Sequence, residues 1–390
     1  MPALPVAIVG AGVGGLTAAL ALARGGHAVT LVERRTGFSE AGAGIQLSPN
    51  ASRVLADLGL GPALRRAAIE PERVVVRALR SGRTVGELAL GAAMRARFGA
   101  PYAVVHRADL QTILLDAVRA RPNVHLLMGR SAIAAGQDAA AATLTVEKAD
   151  GARETIETSV LVGADGLWST VRAALGDARA PVYRGYAAWR ATLAREAAPD
   201  ELSGNETGLW LGRAGHVVHY PIAGGRRVNI VAVEGRRKPV EGWSAPGDPA
   251  ELLAAFARAA QPLRRLLEGP SEWRLWSLYD LPVKTMVWAR IALVGDAAHP
   301  VLPFLAQGGA LAIEDAAVLA ASLSEGSDPA AARLKRARRV QTAARRNGFA
   351  YHAAGPAAWV RDAVLRRSGP QGMAERYAWL YGWTPPAGNA

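Results

Sequence analysis

The sequence predicts an α/β protein in which a Rossmann-like domain is interrupted by an inserted, mostly antiparallel β domain. Three segments rich in glycine and acidic residues, far apart in the chain, each follow an apolar run of strand length. Such segments are typical of the carboxyl ends of parallel strands, so we expect all three at one edge of one sheet. Residues 180–285 instead carry short alternating runs, which favour antiparallel strands.

The first segment is a buried strand, Val6 to Val9, followed by a turn that contains Gly10, Gly12, Gly14 and Gly15. The first, second and fourth of these glycines complete the pattern G-x-G-x-x-G. In this pattern one glycine allows a tight turn, one lets the backbone approach a pyrophosphate, and one lets the next helix pack closely on the strand. The helix N-terminus then stabilises the pyrophosphate charge, so the turn predicts a dinucleotide site.

The elements after this turn support the same interpretation. Leu16 to Arg24 is rich in alanine and leucine and predicts a helix that stops at Gly25 and Gly26. A second strand follows and ends at Glu33, about 20 residues beyond the glycines. A carboxylate at this place can accept hydrogen bonds from the hydroxyl groups of the adenosine ribose.

The third segment indicates which dinucleotide is bound. The apolar strand Ile291 to Val294 leads into Gly295 and Asp296, and Gly308 and Gly309 open a helix further on. An aspartate there can bind a polyol hydroxyl, and the helix N-terminus stabilises negative charge. A reduced flavin carries such charge on its N1–C2 edge and has a ribityl chain, whereas NAD has neither. The segment therefore favours noncovalently bound FAD.

The insertion shows a different pattern. His216 to Pro221 and Arg227 to Val233 alternate around Gly224-Gly225, which predicts an antiparallel hairpin. Val74 to Leu79 is a candidate additional strand, and Ala139 to Thr143 is expected to form a surface turn. The insertion also carries five of the ten tryptophans, namely Trp189, Trp210, Trp243, Trp273 and Trp276.

These patterns divide the chain into two domains and a terminal segment. We expect a discontinuous FAD-binding domain from residues 1–72, 101–178 and 286–365, and a substrate domain from 73–100 and 179–285. Residues 366–390 form a C-terminal segment. A second G-x-G-x-x-G is absent from the sequence, which argues against a reductase with two Rossmann sites.

Together these segments resemble the class A flavoprotein aromatic monooxygenases of the para-hydroxybenzoate hydroxylase fold. The resemblance is strongest to the salicylate, 3-hydroxybenzoate and 6-hydroxynicotinate hydroxylases, and it covers nearly the whole chain. It rests on four stretches: 10–34, 106–110, 163–172 and 295–316. One departure is Leu281, because relatives usually carry an arginine after the aspartate that stands here at Asp280.

The resemblance implies a set of cofactor contacts. FAD would be contacted by Gly12, Glu33, Arg34, Arg107 and Asp296. Gly44 would lie near the flavin ring and Ala132 near the adenine, while Asp165 and Gly166 would support the pyrophosphate and the approach of NAD(P)H.

The resemblance also implies the reaction. NAD(P)H reduces the flavin, oxygen adds to give a C4a-hydroperoxide, and the distal oxygen passes to a small phenolic or N-heteroaromatic acid. The cofactor performs this chemistry, while the protein positions the substrate and excludes water. A base that deprotonates a phenolic substrate contributes a factor on the order of 10² to 10⁴ in rate.

The candidate bases lie in the predicted hairpin. In a strand, His216, Val218 and Tyr220 share one face, while His219 points to the other face. A histidine and a tyrosine at this spacing resemble the pair that 6-hydroxynicotinate and related hydroxylases place over the ring. We therefore favour His216 and Tyr220 as catalytic residues, with His219 as the alternative.

Other residues are expected at the edge of the pocket. Arg190 is a candidate for binding a substrate carboxylate, although a structural ion pair is the favoured interpretation. Pro303, Phe304 and Leu305 are expected to wall the pocket beside the flavin, and His299 is expected to fix the loop that carries Asp296.

Composition excludes several rival classes. The chain has no cysteine, which excludes dithiol reductases, thiolate metal sites and disulfide scaffolding. We expect no bound metal, no transmembrane helix, a cytoplasmic location and a monomer or homodimer.

The net charge of +13 could indicate nucleic-acid binding, and the basic stretch 333–346 is the best support for it. That stretch has helical spacing with Leu334 and Val340 inward, so we interpret it as a solvated basic face.

Two alternatives to a small-molecule hydroxylase stay open at this point. One is a tailoring hydroxylase or epoxidase that acts on a larger secondary metabolite. The other is a non-enzymatic flavin-binding sensor, which would keep Glu33 and Asp296 without a pocket base.

Overall fold

The computed structural model describes residues 4–38, 44–242, 244–326 and 330–386, so Trp243 lies outside the described residues. The strands are β1 (Pro5–Val9), β2 (Ala28–Glu33), β3 (Gly44–Leu47), β4 (Arg73–Ala78), β5 (Thr84–Ala89), β6 (Ala103–His106), β7 (Val124–Met128), β8 (Arg130–Gln137), β9 (Ala142–Lys148), β10 (Arg153–Thr158), β11 (Val160–Gly163), β12 (Val182–Ala194), β13 (Glu206–Gly212), β14 (Gly215–Ile222), β15 (Arg227–Gly235), β16 (Ala245–Gly247), β17 (Trp273–Asp280), β18 (Val287–Trp288) and β19 (Ile291–Leu293). The α-helices are α1 (Val13–Arg24), α2 (Pro49–Asp57), α3 (Gly61–Ala67), α4 (Gly91–Phe98), α5 (Arg107–Arg119), α6 (Thr170–Ala174), α7 (Pro249–Ala255), α8 (Gln261–Glu268), α9 (Gly308–Glu325), α10 (Ala330–Tyr351), α11 (Gly355–Arg376) and α12 (Ala378–Tyr381).

A six-stranded sheet contains the strands of all three glycine segments, in the order β18-β19-β11-β1-β2-β7. β1 pairs in parallel with β2 and β11, and β11 pairs in parallel with β19. The carboxyl ends of β1, β11 and β19 therefore lie side by side, which confirms the predicted convergence on one edge. Leu16 of α1, Leu110 of α5 and Ile313 of α9 belong to the buried core on one face of this sheet.

The insertion forms an eight-stranded sheet in the order β16-β17-β12-β15-β14-β13-β4-β5. The neighbouring strands pair antiparallel, except that β4 pairs in parallel with β13. The predicted hairpin is confirmed as β14 and β15, and the predicted strand at 74–79 is confirmed as β4.

The two faces of the eight-stranded sheet have different neighbours. One face carries Val217 and packs on α8 through residues such as Leu263. The opposite face carries His216 and Tyr220, and Tyr220 packs in a buried cluster with Val340 of α10. The strand thus presents the predicted catalytic side chains toward the Rossmann-like part of the molecule.

The segment 101–178 departs from a simple alternation of strand and helix. β8, β9 and β10 form a separate antiparallel sheet, because short turns rather than helices connect them. In the first turn, the Asp138 carboxylate accepts hydrogen bonds from the backbone N–H groups of Ala140 and Ala141. The predicted surface turn near 139–143 therefore ends at residue 141, and Ala142 is already buried in β9.

The C-terminal helices close one side of the molecule. α11 packs on β5, where Leu365 lies against Gly86. The expected boundary between residues 365 and 366 falls inside α11, whereas the boundary at 72–73 coincides with the start of β4. Within the described residues, no helix is both long and apolar enough to cross a membrane.

Candidate active site

The glycine turn after β1 is held tightly against the second segment. Gly10 has φ +101°, and a Cβ there would lie 2.6 Å from the Ala164 carbonyl oxygen. A Cβ on Gly15 would lie 1.8 Å from the Gly10 carbonyl oxygen, so α1 begins in direct contact with the turn. Gly12 precedes α1 without a side-chain cap, and the first turn of α1 has no acidic residue. The positive end of this helix dipole is therefore available to an anion.

Glu33 fixes the glycine turn at the end of β2. Its Oε2 accepts a hydrogen bond from the Ala11 N–H at 2.8 Å, and its Oε1 accepts one from the Arg35 N–H at 3.0 Å. The side chain is buried, whereas Arg34 beside it is exposed. The carboxylate thus stabilises the loop directly and keeps further lone pairs for a ligand hydroxyl.

Asp165 caps the short helix α6. Its carboxylate accepts hydrogen bonds from the Ser169 hydroxyl at 2.6 Å and from the Thr170 and Val171 N–H groups at 2.7 and 3.1 Å. Burial raises the pKa of Asp165, and these three hydrogen bonds oppose that rise. The neighbouring Gly166 has φ +80° and turns the chain away from the helix. Both residues shape the loop beside Gly10.

Asp296 is an acceptor without a hydrogen-bond partner among the residues that the structure describes. Protein surrounds it closely on several sides, yet its side chain is exposed at the sheet edge. Burial raises the pKa of Asp296, while the nearby charges of His299 and Arg107 lower it. Arg107, from the start of α5, is also exposed. The structure therefore brings together the predicted cofactor contacts from the third segment and from α5.

The N-terminus of α9 follows Asp296 closely in the sequence. Gln307 precedes the helix and turns its side chain inward, where it donates to the Ser48 hydroxyl at 2.8 Å. The first turn, with Gly308 and Gly309, has no acidic residue and no side-chain cap. α9 also packs on α1, where a Cβ on Gly14 would lie 3.1 Å from Cβ of Ala312. This helix end is a second place for negative charge.

His299 holds the Asp296 loop to α9. Its Nε2 lies 2.6 Å from Oδ2 of Asp315, which also accepts a hydrogen bond from the Gly295 N–H at 2.9 Å. Burial disfavours the charged imidazole, but the Asp315 carboxylate outweighs it and raises the pKa of His299. The expected structural role of His299 agrees with these contacts.

The basic stretch in α10 is only partly a solvated face. Leu334 and Val340 lie on its inner side as predicted, and Lys335 is exposed. Arg333, however, is buried and binds both Asp315 and Glu314 at 2.6 and 2.7 Å. The expectation of a wholly solvated face was wrong for Arg333, because the acidic partners lie on another helix.

The residues at this sheet edge fit FAD. The uncapped N-terminus of α1 suits the pyrophosphate, and that of α9 suits the negatively charged edge of the flavin ring. Asp296 offers a free acceptor for the ribityl hydroxyls, with Arg107 beside it. Ala132 lies half-buried on β8, where the pairing with β9 shifts register, and it remains a predicted adenine contact.

A cavity of about 320 Å³ lies between the eight-stranded sheet, the loop after Asp296 and the C-terminal helices. All three predicted wall residues, Pro303, Phe304 and Leu305, line it. Its other walls include Gln46, Val74, Val76, Leu88, Tyr102, Leu209, Leu211, His216, Val218, Asn347, Tyr351, Val364, Leu365, Met373, Tyr377 and Tyr381. Most of these side chains are apolar or aromatic, which suits an aromatic ring.

Of the candidate bases His216 and His219, His216 is the one that lines this cavity. Its ring is buried and packs edge-on against Phe304 and Tyr351, with ring centroids 5.2 Å apart in both pairs. Its Nδ1 lies 2.9 Å from Nε2 of His352, at the end of α10. Burial, and then the neighbouring His352, lower the pKa of His216 well below its usual value. The ring is therefore neutral at physiological pH and able to accept a proton.

Tyr220 shares the sheet face of His216 but does not line the cavity. Its ring lies against β3, where a Cβ on Gly44 would be 2.5 Å from Tyr220 Cε2. Burial raises the pKa of Tyr220, and the charge of Arg190 and a hydrogen bond with Gln46 oppose that rise. Three residues of β14 lie between His216 and Tyr220, so the Tyr220 ring lies beside the predicted flavin contact Gly44 rather than beside His216.

His219 points to the opposite face, as the strand geometry predicts. Its Nε2 is buried and has no hydrogen-bond partner among the described residues. The ring covers Gly208 and lies 6.4 Å from the ring of Trp210. Burial, and then Arg77, lower the pKa of His219 to about 4. The structure thus separates His219 from the cavity.

Arg190 does not form the ion pair that we favoured. No carboxylate of the described residues lies within 4 Å of its guanidinium, which instead stacks on Trp276 at 4.9 Å. Its Nε is buried without a partner. Burial, and then the charge of Arg107, lower the pKa of Arg190 to about 10. Arg190 lies in the same row of the sheet as Val218, on the face that carries the cavity, but its side chain does not line the cavity.

Several site residues carry no motif and were missed. Tyr102 donates a hydrogen bond to Gln46 at the cavity wall. Tyr351 and His352 come from the end of α10 and contact His216, which is 136 positions before His352 in the sequence. The only signal for them is aromatic and histidine content near the end of a helix, which does not by itself indicate a site.

The departure at Leu281 has a structural counterpart. Leu281 is buried, and the charge of Asp280 is balanced by Arg184 and by Arg345, whose Nε lies 2.7 Å from Oδ2. Arg184 of β12 and Arg345 of α10 thus supply the positive charge that an arginine at position 281 would supply in relatives.

Comparison with known proteins agrees with this site. The profile of the family described as FAD binding domain matches residues 3–337. The chain is 34% identical to a 3-hydroxybenzoate 6-hydroxylase of Polaromonas naphthalenivorans, over 97% of this chain and 96% of that protein. It is 38% identical to a 3-amino-4-hydroxybenzoate 2-monooxygenase of Streptomyces platensis, over 98% and 97%.

A solved salicylate hydroxylase in complex with its substrate superimposes with a TM-score of 0.82 at 26% identity, covering 99% of this chain and 97% of that one. The shared monooxygenase activity of the relatives overturns the alternative of a non-enzymatic flavin-binding sensor. The chain therefore belongs to the FAD binding domain family and is a FAD-dependent aromatic monooxygenase, with NAD(P)H as its cosubstrate.

Proposed function

We propose that this enzyme hydroxylates a small phenolic or N-heteroaromatic acid with NAD(P)H and O₂, in the cytoplasm, where NAD(P)H is supplied. The observation that carries this proposal is the neutral His216 in an aromatic-walled cavity beside the FAD loop. Relatives that act on 3-hydroxybenzoate and on 3-amino-4-hydroxybenzoate support the same substrate class.

The cavity holds a flat ring between two kinds of wall. Phe304 and Leu305 approach from the loop after Asp296, while Val218 and Leu209 approach from the sheet. Apolar walls on both sides exclude water, which limits the loss of activated oxygen before it reaches the ring. His216 Nε2 is left for the substrate, because Nδ1 is engaged with His352.

His216 accepts the proton of the substrate hydroxyl at Nε2. The resulting phenolate is more electron-rich and reacts faster with an electrophilic oxygen. Packing against Phe304 and Tyr351 holds the imidazole in one orientation, so the proton acceptor is in place before the substrate arrives.

FAD, when bound, supplies reduction by NAD(P)H and activation of oxygen. Glu33 and Asp296 would hold its two sugar-like portions, and the N-termini of α1 and α9 would hold its negative groups. Gly44 and Tyr220 lie together at the place that the resemblance assigns to the ring.

Arg190 gives the substrate carboxylate a partner. It is a cation without a carboxylate partner in the described chain, on the sheet face of His216. Because an unpaired buried charge is costly, an anionic ligand that approaches it gains substantially. We propose that Arg190 selects aromatic acids over neutral phenols.

The test is a screen of the purified holoenzyme against single-ring acids, including 3-hydroxybenzoate, salicylate, 6-hydroxynicotinate and 3-amino-4-hydroxybenzoate. At least one acid should stimulate NAD(P)H oxidation and give one extra oxygen atom in the product. The matched phenol without the carboxylate should be a poor substrate. Stimulated NAD(P)H oxidation without any hydroxylated product from the whole set would contradict the proposal.

A larger secondary metabolite is the second candidate substrate. The cavity extends to α11, where Val364, Leu365 and Met373 form an apolar wall beyond the space around His216. Two- and three-ring phenols belong in the same screen. Turnover of these alone would favour a tailoring hydroxylase.

A further inference from the structure

Two histidines from distant parts of the chain meet at the edge of the cavity. His216 lies on β14 and is buried, whereas His352 lies at the end of α10 and is half-buried. Their rings are linked by Nδ1 of His216 and Nε2 of His352, 2.9 Å apart. His216 faces the cavity, and His352 does not line it. The pair therefore runs from the cavity toward the surface.

The surroundings fix both rings in place. His352 stands between His216 and Tyr186 of β12, with ring centroids 5.1 and 5.0 Å away. Phe304 packs against both imidazoles. Rotation of either ring would disrupt these contacts, so the packing favours the contact between the two nitrogens.

Few ionisable groups face the pair. On α11, Arg361 lies near His352, but its guanidinium is bound to Asp362 at 2.7 Å. In the part of the chain that the structure describes, the phenols of Tyr351 on α10 and Tyr186 on β12 are the other titratable neighbours. Burial, and then Arg361, lower the pKa of His352 to about 4, so both imidazoles are neutral near pH 7.

Two neutral imidazoles in contact have two arrangements of their protons. When His216 donates from Nδ1, its Nε2 is a free acceptor toward the cavity. When His352 donates from Nε2, His216 carries a proton on Nε2 instead. The two arrangements differ by the transfer of one proton along the pair.

We propose that His216 and His352 form a proton relay that carries the substrate hydroxyl proton from the cavity to solvent. This inference rests on the proposed function of His216. The hydroxyl proton moves to His216 Nε2, the proton on His216 Nδ1 moves to His352 Nε2, and the proton on His352 Nδ1 leaves to water. His352 Nδ1 has no hydrogen-bond partner among the described residues, so it is free to do so. Reprotonation of the product by the reverse path restores both rings.

The relay is tested by proton release on substrate binding. The oxidised holoenzyme is mixed with 3-hydroxybenzoate in weak buffer without NAD(P)H, and phenol red and the ultraviolet phenolate band are followed by stopped flow. If the screen selects another phenolic acid, that acid replaces the probe. His352→Gln keeps a hydrogen-bonding group near Nε2 but cannot pass a proton. We expect its probe Kd to change less than about threefold and its proton release to slow at least tenfold.

Three comparisons make the result decisive. His216→Gln should abolish deprotonation itself, and His125→Gln, at an exposed histidine on β7, should behave as the wild type. Added imidazole should partly restore the rate in His352→Gln. If His352→Gln loses its FAD or fails to fold, His352→Asn is measured in its place. Proton release at the wild-type rate in the His352 variants would overturn the relay while leaving His216 as the base. Binding of the probe to the wild type without deprotonation would overturn both proposals.

Discussion

The imidazole of His299 and the carboxylate of Asp315 form a buried ion pair, with Nε2 and Oδ2 2.6 Å apart. Burial opposes both charges, but each partner outweighs it, so the pKa of His299 is raised and that of Asp315 is lowered. The stabilisation from His299 is complete below its unfolded pKa of 6.5 and is lost as pH rises through its higher folded pKa. That from Asp315 is complete above 3.8 and is lost as pH falls through its lower folded pKa.

Replacing His299 by Asn should therefore destabilise the protein most between about pH 4 and 6.5. We expect a loss of about 1.5 to 3 kcal/mol there, because the buried Asp315 carboxylate loses one charged partner while it keeps its ion pair with Arg333. The difference in free energy of unfolding between the variant and the wild type should narrow toward pH 9. Urea unfolding across this pH range measures this difference, with the exposed His125→Asn as control. A gap that widens with rising pH would show that the pair is neutral.

Asp296→Ala should weaken the binding of FAD. The side chain is a free acceptor at the sheet edge, so its removal costs a charge-assisted hydrogen bond rather than a fold contact. We expect FAD affinity to fall roughly 10- to 150-fold, with unchanged melting of the apoprotein. Fluorescence titration of apoprotein measures this, with Glu272→Ala as an exposed acidic control. Heat-released FMN or NAD(P) in place of FAD from the wild type would refute the cofactor site.

Glu33→Ala should affect both FAD affinity and the apoprotein. Unlike Asp296, Glu33 accepts a hydrogen bond from the buried Ala11 N–H, which the variant leaves without a partner. That loss should cost about 1 to 3 kcal/mol of stability. At saturating FAD, kcat should stay near the wild-type value because the ribose is remote from the reacting ring. A collapsed kcat in fully reconstituted enzyme would show that Glu33 has another role.

His216→Phe should uncouple the enzyme. Flavin reduction on substrate binding should persist, but the ratio of hydroxylated product to NAD(P)H consumed should fall by a large factor, with matching release of hydrogen peroxide. Tyr220→Phe should do less, since its hydroxyl meets Gln46 and not the cavity. His219→Phe should retain coupling. An uncoupled His219 variant beside a coupled His216 variant would place the base on the opposite sheet face.

Arg190→Leu should raise KM for the acid substrate at least tenfold. For the same phenol without the carboxylate, KM should change little, so the ratio of the two values isolates the charge interaction. Arg190→Lys should recover part of the loss, because the charge remains while the stacking on Trp276 is lost. Equal effects on both substrates would assign Arg190 to the packing of the sheet.

The sequence predicted the parts whose geometry is local. Gly10, Gly15 and Glu33 follow from the stereochemistry of one strand, turn and helix, and the opposite directions of His216 and His219 follow from the pleat. The convergence of three strand ends was also predictable, because glycine segments of this kind share one edge of a parallel sheet.

The parts that escaped prediction depend on contacts between distant elements. Arg333 looked like one of many exposed cations, and only the position of α9 shows that it is paired with Asp315. His352 and Tyr102 reach the cavity through tertiary packing alone. For Arg190 the prediction of a structural ion pair was wrong, because tertiary packing places no carboxylate of the described residues beside its guanidinium.

The outer wall of the cavity comes from α11, beyond residue 337, where the match to the family profile ends. The groups that fit FAD all lie before that residue, on other elements. Replacing Leu365 or Met373 would thus change the shape of the cavity without changing the residues that fit FAD. Substrate specificity and FAD binding therefore depend on different elements, and randomising the cavity-facing residues of α11 is a route to new ring specificities with the FAD site unchanged.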